Sequence, residues 1–401
     1  MGGVMIRGVL GLAVLLLVPG LLWLVSGCGD MPAGDGGHDE YEEDVSAGWS
    51  VTGLDCADPA GMYASMDIGR DGKVHIAYYH VWYSKGAKDE DFTESWSLGY
   101  IVGAGDDWDR ELFALGDFTE VMDTSIAVGP DGRTHIAYYS GELLPDYRFP
   151  SLVYLLVEPG EQREFEAVSE VYGYDLSMCV DGDGAVHILF FDRGRGLMHI
   201  CGLFDEASET MDWTLETVDA GDDIGQHPSV VCGPRGSLHV SYMDHAEADL
   251  KYAVRADGGW RISVVDSEGD VGWFTSIGLD SAGSVHISYY GDTDGDLKYA
   301  TNASGEWRTF VVDSEGDVGG YTSLAVDSND GIHISYYDFS NRSLKYATNA
   351  SGEWETVTVH SVSFGAVGEF SAIALDPDGG VHIAYFHRTR GCLYYATDSR
   401  R

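Results

Sequence analysis

Positive charge is scarce in this sequence. Its 401 residues include 23 lysines and arginines against 66 aspartates and glutamates, which gives a formal net charge of −43. Binding to nucleic acid requires basic side chains that contact the phosphates, and adsorption to an anionic membrane surface requires them as well. The composition therefore predicts that nucleic acid is not a partner and that no basic surface holds the chain on a membrane.

Several motifs of common enzyme classes are also missing. The sequence contains no phosphate-binding P-loop, no zinc motif and no nucleophile elbow. No helical hydrophobic period competes with a strand-like alternation of side chains. Hydrophobic residues nevertheless make up 44% of the chain, so it can bury a core and wholesale disorder is excluded.

The first thirty residues have the layout of an export signal. Arg7 precedes an apolar run over residues 9–25, which ends in Ser26-Gly27-Cys28. This ending resembles the bacterial lipoprotein signal, in which the cysteine is acylated and becomes the mature N-terminus. The resemblance implies a signal peptide over 1–27, lipidation at Cys28, and a lipid-anchored protein of the bacterial cell envelope. An ordinary signal peptide and an uncleaved membrane helix are the alternatives.

Residues 28–48 are expected to form an acidic flexible tether. They contain seven acidic residues and no basic one, together with several glycines. Such a segment buries too little apolar surface to order itself. We therefore assign the folded domain to 49–401, held at the periplasmic face or at the cell surface by its lipid alone.

A phrase of about sixteen residues recurs seven times in the rest of the chain. The histidines at its centre are separated by 60, 52, 52, 47, 47 and 49 residues; they are His75, His135, His187, His239, His286, His333 and His382. A Leu-x-Tyr-like segment follows each phrase, and a tryptophan usually opens the next alternating stretch. Each unit therefore predicts four short strands, which we name a, b, c and d in chain order, with a tight turn between a and b.

Four-stranded units at this spacing are typical of a β-propeller. We predict an all-β fold, a seven-bladed β-propeller with four antiparallel strands per blade. Residues 49–55 read as a strand d without a preceding blade, while the chain stops after a strand c at 393–397. The N-terminal strand is thus expected to close the last blade, which would leave no open sheet edge.

The units resemble the BNR or Asp-box-like repeats of the sialidase-like propeller superfamily, over nearly all of residues 49–397. The resemblance implies the propeller fold. The turns depart from the family pattern, because they read Asp-x-x-Gly-x-x-His where an Asp box reads Ser-x-Asp-x-Gly-x-Thr-Trp. Sialidase chemistry is therefore only weakly implied.

Residues that recur in every blade are expected to be structural. The seven repeat histidines are predicted to bond backbone between blades, since one active site does not need seven copies. Cys56 and Cys392 should meet at the same end of blade seven and form a disulfide in an exported protein. One more bridge can form among Cys179, Cys201 and Cys232, which leaves one thiol over.

Functional residues should lie where the blades differ, on the face formed by the d–a and b–c loops. Long b–c loops of blades one and two would raise an aromatic wall, or form a small core of their own. The residue that ends strand b differs from blade to blade and is predicted to ring the channel mouth, as a binding arc or as a solvated polar rim. The candidate ligand-binding residues are His80, Trp82, Trp96, Tyr147, Arg148, Asp192, Arg193, Asp244, Tyr321, Asp338, His387 and Arg388.

No metal site and no cofactor are predicted, although Asp292, Asp294 and Asp296 have the first spacings of a calcium loop without its later glutamate. We predict a ligand-binding propeller that binds glycan and is non-catalytic. The alternatives are a sialidase-like glycoside hydrolase or polysaccharide lyase, and a scaffold that binds an envelope protein. A sialidase site would need three converging arginines, which the sequence alone does not place.

Overall fold

The computed structural model describes residues 42–57, 59–85, 92–117, 123–140, 151–158, 160–169, 171, 173, 175–256 and 258–398. Within these ranges the chain is almost entirely β-strand, and its one helix is a 3₁₀ turn at Pro234–Gly236. No helix in the described ranges is long and apolar enough to cross a membrane. Cys28 and the predicted signal peptide lie outside the described residues.

The strands form seven antiparallel sheets, as predicted. Two short strands precede the first sheet, β1 (Glu43–Val45) and β2 (Trp49–Asp55). Blade one consists of β3 (Ala60–Ile68), β4 (Val74–Lys85), β5 (Phe92–Ala104) and β6 (Asp107–Asp117). Blade two consists of β7 (Thr124–Val128), β8 (Thr134–Ser140), β9 (Ser151–Glu158) and β10 (Glu161–Val168). Blade three consists of β11 (Leu176–Val180), β12 (Val186–Asp192), β13 (Gly196–Asp205) and β14 (Thr210–Ala220).

The later blades repeat this order. Blade four consists of β15 (Ile224–Cys232), β16 (Leu238–Asp244), β17 (Asp249–Ala256) and β18 (Gly259–Asp266). Blade five consists of β19 (Val271–Leu279), β20 (Val285–Gly291), β21 (Asp296–Thr301) and β22 (Arg308–Asp313). Blade six consists of β23 (Val318–Val326), β24 (Ile332–Asp338), β25 (Ser343–Thr348) and β26 (Glu355–Val362). Blade seven contains β27 (Glu369–Leu375), β28 (Val381–His387) and β29 (Cys392–Asp398).

Strand β2 completes blade seven. It pairs antiparallel with β29, from Trp49 opposite Asp398 to Asp55 opposite Leu393. The chain thus returns to its own beginning, and the last sheet has the same four strands as the others. The predicted fold and its closure by the N-terminal strand are both confirmed.

The inner strands are joined around the channel by serine side chains. At six of the seven seams between blades, a serine Oγ of strand a accepts a hydrogen bond from a backbone N–H of the next strand a. The pairs are Ser65–Ile126, Ser125–Met178, Ser177–Val230, Ser229–Ile277, Ser276–Leu324 and Ser323–Ile373. Blade seven has Ala372 at the corresponding position. These bonds tie neighbouring sheets where the backbone groups would otherwise lack partners.

The repeat histidines are structural, but their partner differs from the prediction. Each uses its ring Nδ1 to bond a side chain on strand c of its own blade, and not backbone between blades. The pairs are His75–Tyr100, His135–Tyr154, His187–His199, His239–Tyr252, His286–Tyr299, His333–Tyr346 and His382–Tyr395. The register of strands b and c places the two rings side by side, which explains why the Leu-x-Tyr segment repeats together with the histidine.

The predicted disulfide Cys56–Cys392 is present, with Cα atoms 4.5 Å apart. Its cysteines are 336 residues apart in the chain, so the bridge links the two ends of the domain. A second bridge joins Cys179 and Cys232 across the seam between blades three and four. Cys201 is the free thiol among the described cysteines and is partly buried.

Part of the predicted tether is a strand. Residues 43–45 form β1, which pairs antiparallel with β26 and adds a fifth strand to blade six. This strand could not be predicted, because its acidic composition is that of a solvated segment. The ordered part of the chain thus begins before residue 49.

Removing the Cys56–Cys392 bridge should destabilise the domain by about 3–5 kcal/mol, because the bridge restricts a very long loop in the unfolded chain. The test is urea unfolding of the Cys56→Ser/Cys392→Ser variant. Cys179→Ser/Cys232→Ser should lose about 1–2 kcal/mol less, since its loop is shorter. Cys201→Ser serves as the thiol control. Equal stability of the first variant and the parent protein would show that the closing strand holds without the bridge.

Candidate functional site

A cavity of about 200 Å³ opens at the centre of the propeller. Every blade contributes to its wall one equivalent residue, which lies within strand a in five blades and directly before strand a in blades two and three, near the end of the channel that the d–a loops surround. The seven residues, in blade order, are Tyr63, Asp123, Asp175, His227, Phe274, Tyr321 and Phe370. We name them the channel ring. The cavity is therefore the point at which all seven blades meet and at which they differ most in chemistry.

The backbone turns these side chains into the channel. Five of the seven have a positive φ of 49–54°, a region that side-chain-bearing residues rarely adopt; they are Tyr63, His227, Phe274, Tyr321 and Phe370. In these five blades the strand pairing shifts on one or both sides of the residue, which is the signature of β-bulges. A bulge changes the direction of one side chain without ending the strand.

A glycine two residues earlier makes each bulge possible. At Gly319 and Gly368 the φ angles are 110° and 109°. A Cβ atom added at Gly368 would lie 2.6 Å from Leu344 Cα, and one added at Gly319 would lie 2.8 Å from Leu297 Cα. Strand a thus touches strand c of the preceding blade, and the repeated Leu-x-Tyr leucine is the residue it touches.

Aromatic rings form one side of the channel ring. Ring centroids are 4.9 Å apart for His227–Phe274 and 4.8 Å apart for Phe274–Tyr321. They are 4.6 Å apart for Tyr321–Phe370 and 4.5 Å apart for Tyr63–Phe370. Blades four to seven and blade one thereby contribute an unbroken arc of five rings, whose tilted contacts are favourable for aromatic pairs.

Carboxylates form the other side. Asp123 of blade two accepts a hydrogen bond from the backbone N–H of Leu176, at 2.9 Å. Asp175 of blade three accepts one from the N–H of His227, at 2.8 Å, and its Oδ2 lies 3.6 Å from the His227 Nδ1. Burial, and then the negative charge of Asp175, raise the pKa of Asp123 well above its ordinary value. The cavity thus presents an acidic wall opposite an aromatic one.

Of the predicted ligand-binding residues, the structure places Tyr321 in the channel ring. The prediction that strand-b ends ring the channel mouth is wrong, because strand a lies between strand b and the channel. These ends are buried instead: His80, Asp192, Asp244, Asp338 and His387 are at most 4% exposed. None of them is among the residues that line the cavity.

The buried strand-b ends have local partners. Lys251 Nζ lies 2.6 Å from Asp244 Oδ2, and Arg195 lies 3.4 Å from Asp192. Asp338 accepts hydrogen bonds from the backbone and side chain of Asn341. His80 Nε2 lies 3.8 Å from Asp55 Oδ2, and His387 Nε2 lies 3.5 Å from Glu43 Oε1. They hold the seams and turns of the scaffold.

The predicted arginines do not meet at the cavity. Arg388 bonds the buried Glu369, with its Nε 2.8 Å from Oε2, and Arg193 is exposed in the b–c turn of blade three. The side chains of Trp82 and Trp96, together with Tyr147 and Arg148, lie outside the described residues. In the described chain the cavity lining contains no arginine, and Asp292, Asp294 and Asp296 do not gather as a group of three metal ligands.

Most of the channel ring was missed by the sequence analysis, although a signal for it exists. Each ring residue stands two positions before the residue that aligns with the strand-a serine, as in Tyr321-Thr-Ser323 and Phe274-Thr-Ser276. In six blades a glycine stands two positions before the ring residue. Glycine, a variable residue and a serine at this spacing mark the bulge.

Asp123→Asn should weaken the pH dependence of stability. A raised pKa in the folded state means that stability is fully present below the unfolded aspartate pKa and is lost as pH rises through the folded value. Relative to the parent, the variant should therefore gain unfolding free energy as the pH is raised from about 4 towards neutral, by about 1.4 kcal/mol for each unit by which the pKa of Asp123 is raised. Urea unfolding across that range measures it, with the exposed turn residue Asp106→Asn as control. A constant difference would contradict the elevated pKa.

Comparison with known proteins finds similarity in structure alone. No protein-family model matches the sequence, and no curated protein resembles it significantly. A protein of unknown function from Dyadobacter fermentans is 13% identical, with a TM-score of 0.55, 88% of this chain covered and 99% of that one. The lectin BP39L of Burkholderia pseudomallei is 11% identical, with a TM-score of 0.55, and 81% and 95% of the two chains are covered.

A third structure, the intramolecular trans-sialidase of Ruminococcus gnavus, is 11% identical and covers 85% of this chain and 94% of its own. Its TM-score of 0.45 is too low to bear on the site. Lectins and sialidases of the propeller fold are thus among the similar structures. At these identities the comparisons show one property of this chain, namely that it has the fold of a β-propeller.

Proposed function

We propose that this protein is a non-catalytic ligand-binding propeller and that its ligand is a carbohydrate. The observation that carries the proposal is the channel ring, which joins an aromatic arc to two carboxylates in one cavity. Binding sites of small molecules are typically concave, largely apolar and supplied with a few directed polar groups. The similar structures include a lectin, which is consistent with this use of the fold.

The two walls of the cavity suit the two surfaces of a sugar. The C–H face of a pyranose packs against an aromatic ring, while its hydroxyl groups donate hydrogen bonds to acceptors such as Asp175. The volume of about 200 Å³ is below the range of roughly 300–1,000 Å³ that drug-sized ligands occupy. We infer that one sugar ring, at the end of a chain or free, enters the cavity.

The charge of the cavity selects the type of sugar. Asp123 and Asp175 stand on its wall, no arginine lines it within the described chain, and the whole protein carries a net charge of −43. A sugar carboxylate would meet repulsion there without a compensating cation. We therefore expect neutral sugars or amino sugars to bind, and sialic acids and uronic acids to be rejected.

A glycoside hydrolase is the second candidate. Two carboxylates at one cavity, of which Asp123 has a raised pKa, have the composition of a glycosidase acid–base pair. The missing arginines oppose the sialidase form of this alternative. Turnover by the parent protein that disappears in both Asp123→Asn and Asp175→Asn would establish an enzyme in place of the binding module.

We also propose that the chain is exported and anchored in the cell envelope through lipid on Cys28, with the propeller exposed to ligands beyond the membrane. The support is the sequence of residues 1–28 and the two disulfides, which form and persist in oxidising compartments. A glycan or an envelope protein are the partners that this location offers.

Tyr321→Leu should weaken glycan binding by about two- to tenfold, the loss expected when one aromatic contact is removed without a large change in volume. A glycan array identifies the ligand, and calorimetry with the best neutral glycan measures the affinity. Phe364→Leu is the matched control, because Phe364 is 76% exposed and lies outside the cavity. Equal losses in both variants, or binding to protein but to no glycan, would contradict the carbohydrate assignment.

Cys28→Ala should abolish the incorporation of labelled palmitate in bacterial cells, because the lipoprotein pathway acylates that thiol. The measurement is label in the immunoprecipitated protein, together with its release from membranes. Cys201→Ala, which changes a thiol within the propeller, should keep the label. Incorporation that survives Cys28→Ala would disprove the lipid anchor at this position.

A further inference from the structure

The seam between blades six and seven departs from the repeat at three positions. At the two preceding seams, the last residue of strand d is an aspartate that holds the next blade. Asp266 accepts hydrogen bonds from Tyr289, at 2.7 Å, and from Lys298, at 2.6 Å. Asp313 accepts them from Tyr336, at 2.6 Å, and from Lys345, at 2.5 Å. Each of these seams thus contains one carboxylate and one ammonium group, which neutralise one another.

At the next seam, histidine replaces the aspartate and tyrosine replaces the lysine. His360 stands 47 residues after Asp313, and Tyr394 follows Leu393 as Lys345 follows Leu344. His360 Nδ1 is 2.9 Å from the hydroxyl of Tyr385, which is the tyrosine of the repeat. His387, the end of strand b, lies beside it with ring centroids 5.6 Å apart. Two fully buried imidazoles stand here, where the two preceding seams hold an ion pair.

A carboxylate reaches these imidazoles from outside the repeat. Glu43 lies on β1, which pairs with the end of β26 with Val45 opposite His360. Its Oε2 is 3.8 Å from His360 Nε2, and its Oε1 is 3.5 Å from His387 Nε2. His360 Nε2 is buried and has no hydrogen-bond partner among the described residues. One ligand atom from each of the three residues lies within 4.8 Å of the others.

We propose that Glu43, His360 and His387 bind a divalent transition-metal ion, with zinc as the ion of best fit. Zinc–nitrogen and zinc–oxygen bonds of about 2.0–2.1 Å place tetrahedral ligands about 3.3 Å apart. The separations of 3.5 and 3.8 Å run to different oxygens of Glu43, and the three ligand atoms lie within 4.8 Å of one another, so the side chains must move slightly closer together when the ion binds. Two imidazoles and one carboxylate are a known ligand set for zinc, and they leave a fourth position for water or a ligand atom.

The protonation states agree with this assignment. Burial, and then the neighbouring His387, lower the pKa of His360 to about 4. Burial also lowers the pKa of His387. Metal binding requires the neutral imidazole. In the tautomer in which His360 donates its Nδ1–H to Tyr385, the Nε2 lone pair faces the carboxylate, and the tyrosine orients the ring as outer-shell partners of metal-bound histidines do.

Arg390 competes for the same carboxylate. Its Nη2 is 2.7 Å from Glu43 Oε1, and its side chain is 44% exposed, so it can turn towards solvent. A metal ion next to a guanidinium is penalised by like charge, and the arginine must give way when the ion binds. The arginine therefore limits metal affinity, whereas a purely structural seam would be held together by it.

The proposed ion would join strand β1 to the seam between blades six and seven. Strand β1 is three residues long and pairs only with the outer edge of blade six. Coordination by Glu43 would anchor this strand to the ends of β26 and β28. The site is separate from the channel ring, so this inference and the proposed carbohydrate function can fail independently.

The test is calorimetry with Zn²⁺ on untagged protein that has been stripped with chelator. We expect one ion per chain, and no corresponding binding of Ca²⁺, which prefers a larger number of oxygen ligands. Glu43→Gln should weaken zinc binding at least about tenfold, and Tyr385→Phe by about ten- to a hundredfold. Arg390→Gln should strengthen it. Failure of the parent to bind zinc, or weaker binding by Arg390→Gln, would overturn the site.

Three further variants separate metal binding from folding. His360→Asp/Tyr394→Lys restores the aspartate and lysine of the other seams, so it should fold as the parent does and lose the zinc site. Glu42→Gln and His245→Gln are exposed controls for the carboxylate and the imidazole, and both should bind zinc as the parent does. Zinc should also slow proteolysis at residues 42–48 in the parent and in the two exposed controls, but not in the restored seam or in Glu43→Gln. Unchanged zinc affinity in the restored seam, or in Glu43→Gln, would place the ion elsewhere.

Discussion

The close contact between strand a and strand c of the preceding blade is the constraint on which this structure depends. The backbone at Gly368 comes so near to Leu344 that a Cβ atom would lie 2.6 Å from its Cα. Contact of this kind occurs in five blades, where it brings neighbouring sheets together and is followed by a bulge two residues further on. In these five blades the bulge turns one side chain into the channel, so closure of the fold and construction of the aromatic part of the cavity have a single origin.

Two neighbouring seams share one arrangement of charged side chains, and the seam of blades six and seven departs from it. Tyr289, Lys298 and Asp266 neutralise one another at one seam, and the next seam repeats the arrangement with different residues. A substitution at one of these repeated positions therefore changes the charge of the seam in a way that can be read from the sequence. At the seam of blades six and seven the change removes an ion pair, adds imidazoles and attracts Glu43, whose strand lies outside the repeat. Such replacement is expected where a scaffold has acquired a local site.

Much of the fold was predictable, because strand alternation and a constant repeat length leave few other architectures. The closing strand and the Cys56–Cys392 bridge followed from the incomplete blades at the two ends of the chain. The rim was predicted wrongly, since residues such as Asp244 end strand b, and strand a separates strand b from the channel. The alternation that identified strand a begins after the bulge, and the bulge itself breaks it, so the sequence did not place Phe274 and Phe370 in the channel.

The strained backbone of the channel ring bears on function. Five side-chain-bearing residues with positive φ, each in a ring contact with the next, cost conformational energy that packing must offset. Blades two and three have aspartates at the same position, so the ring residues with a strained backbone are all aromatic or histidine. A wall that is aromatic over five blades and acidic over two has no rotational symmetry. Such a wall can hold the proposed carbohydrate in one preferred orientation, which specific recognition requires.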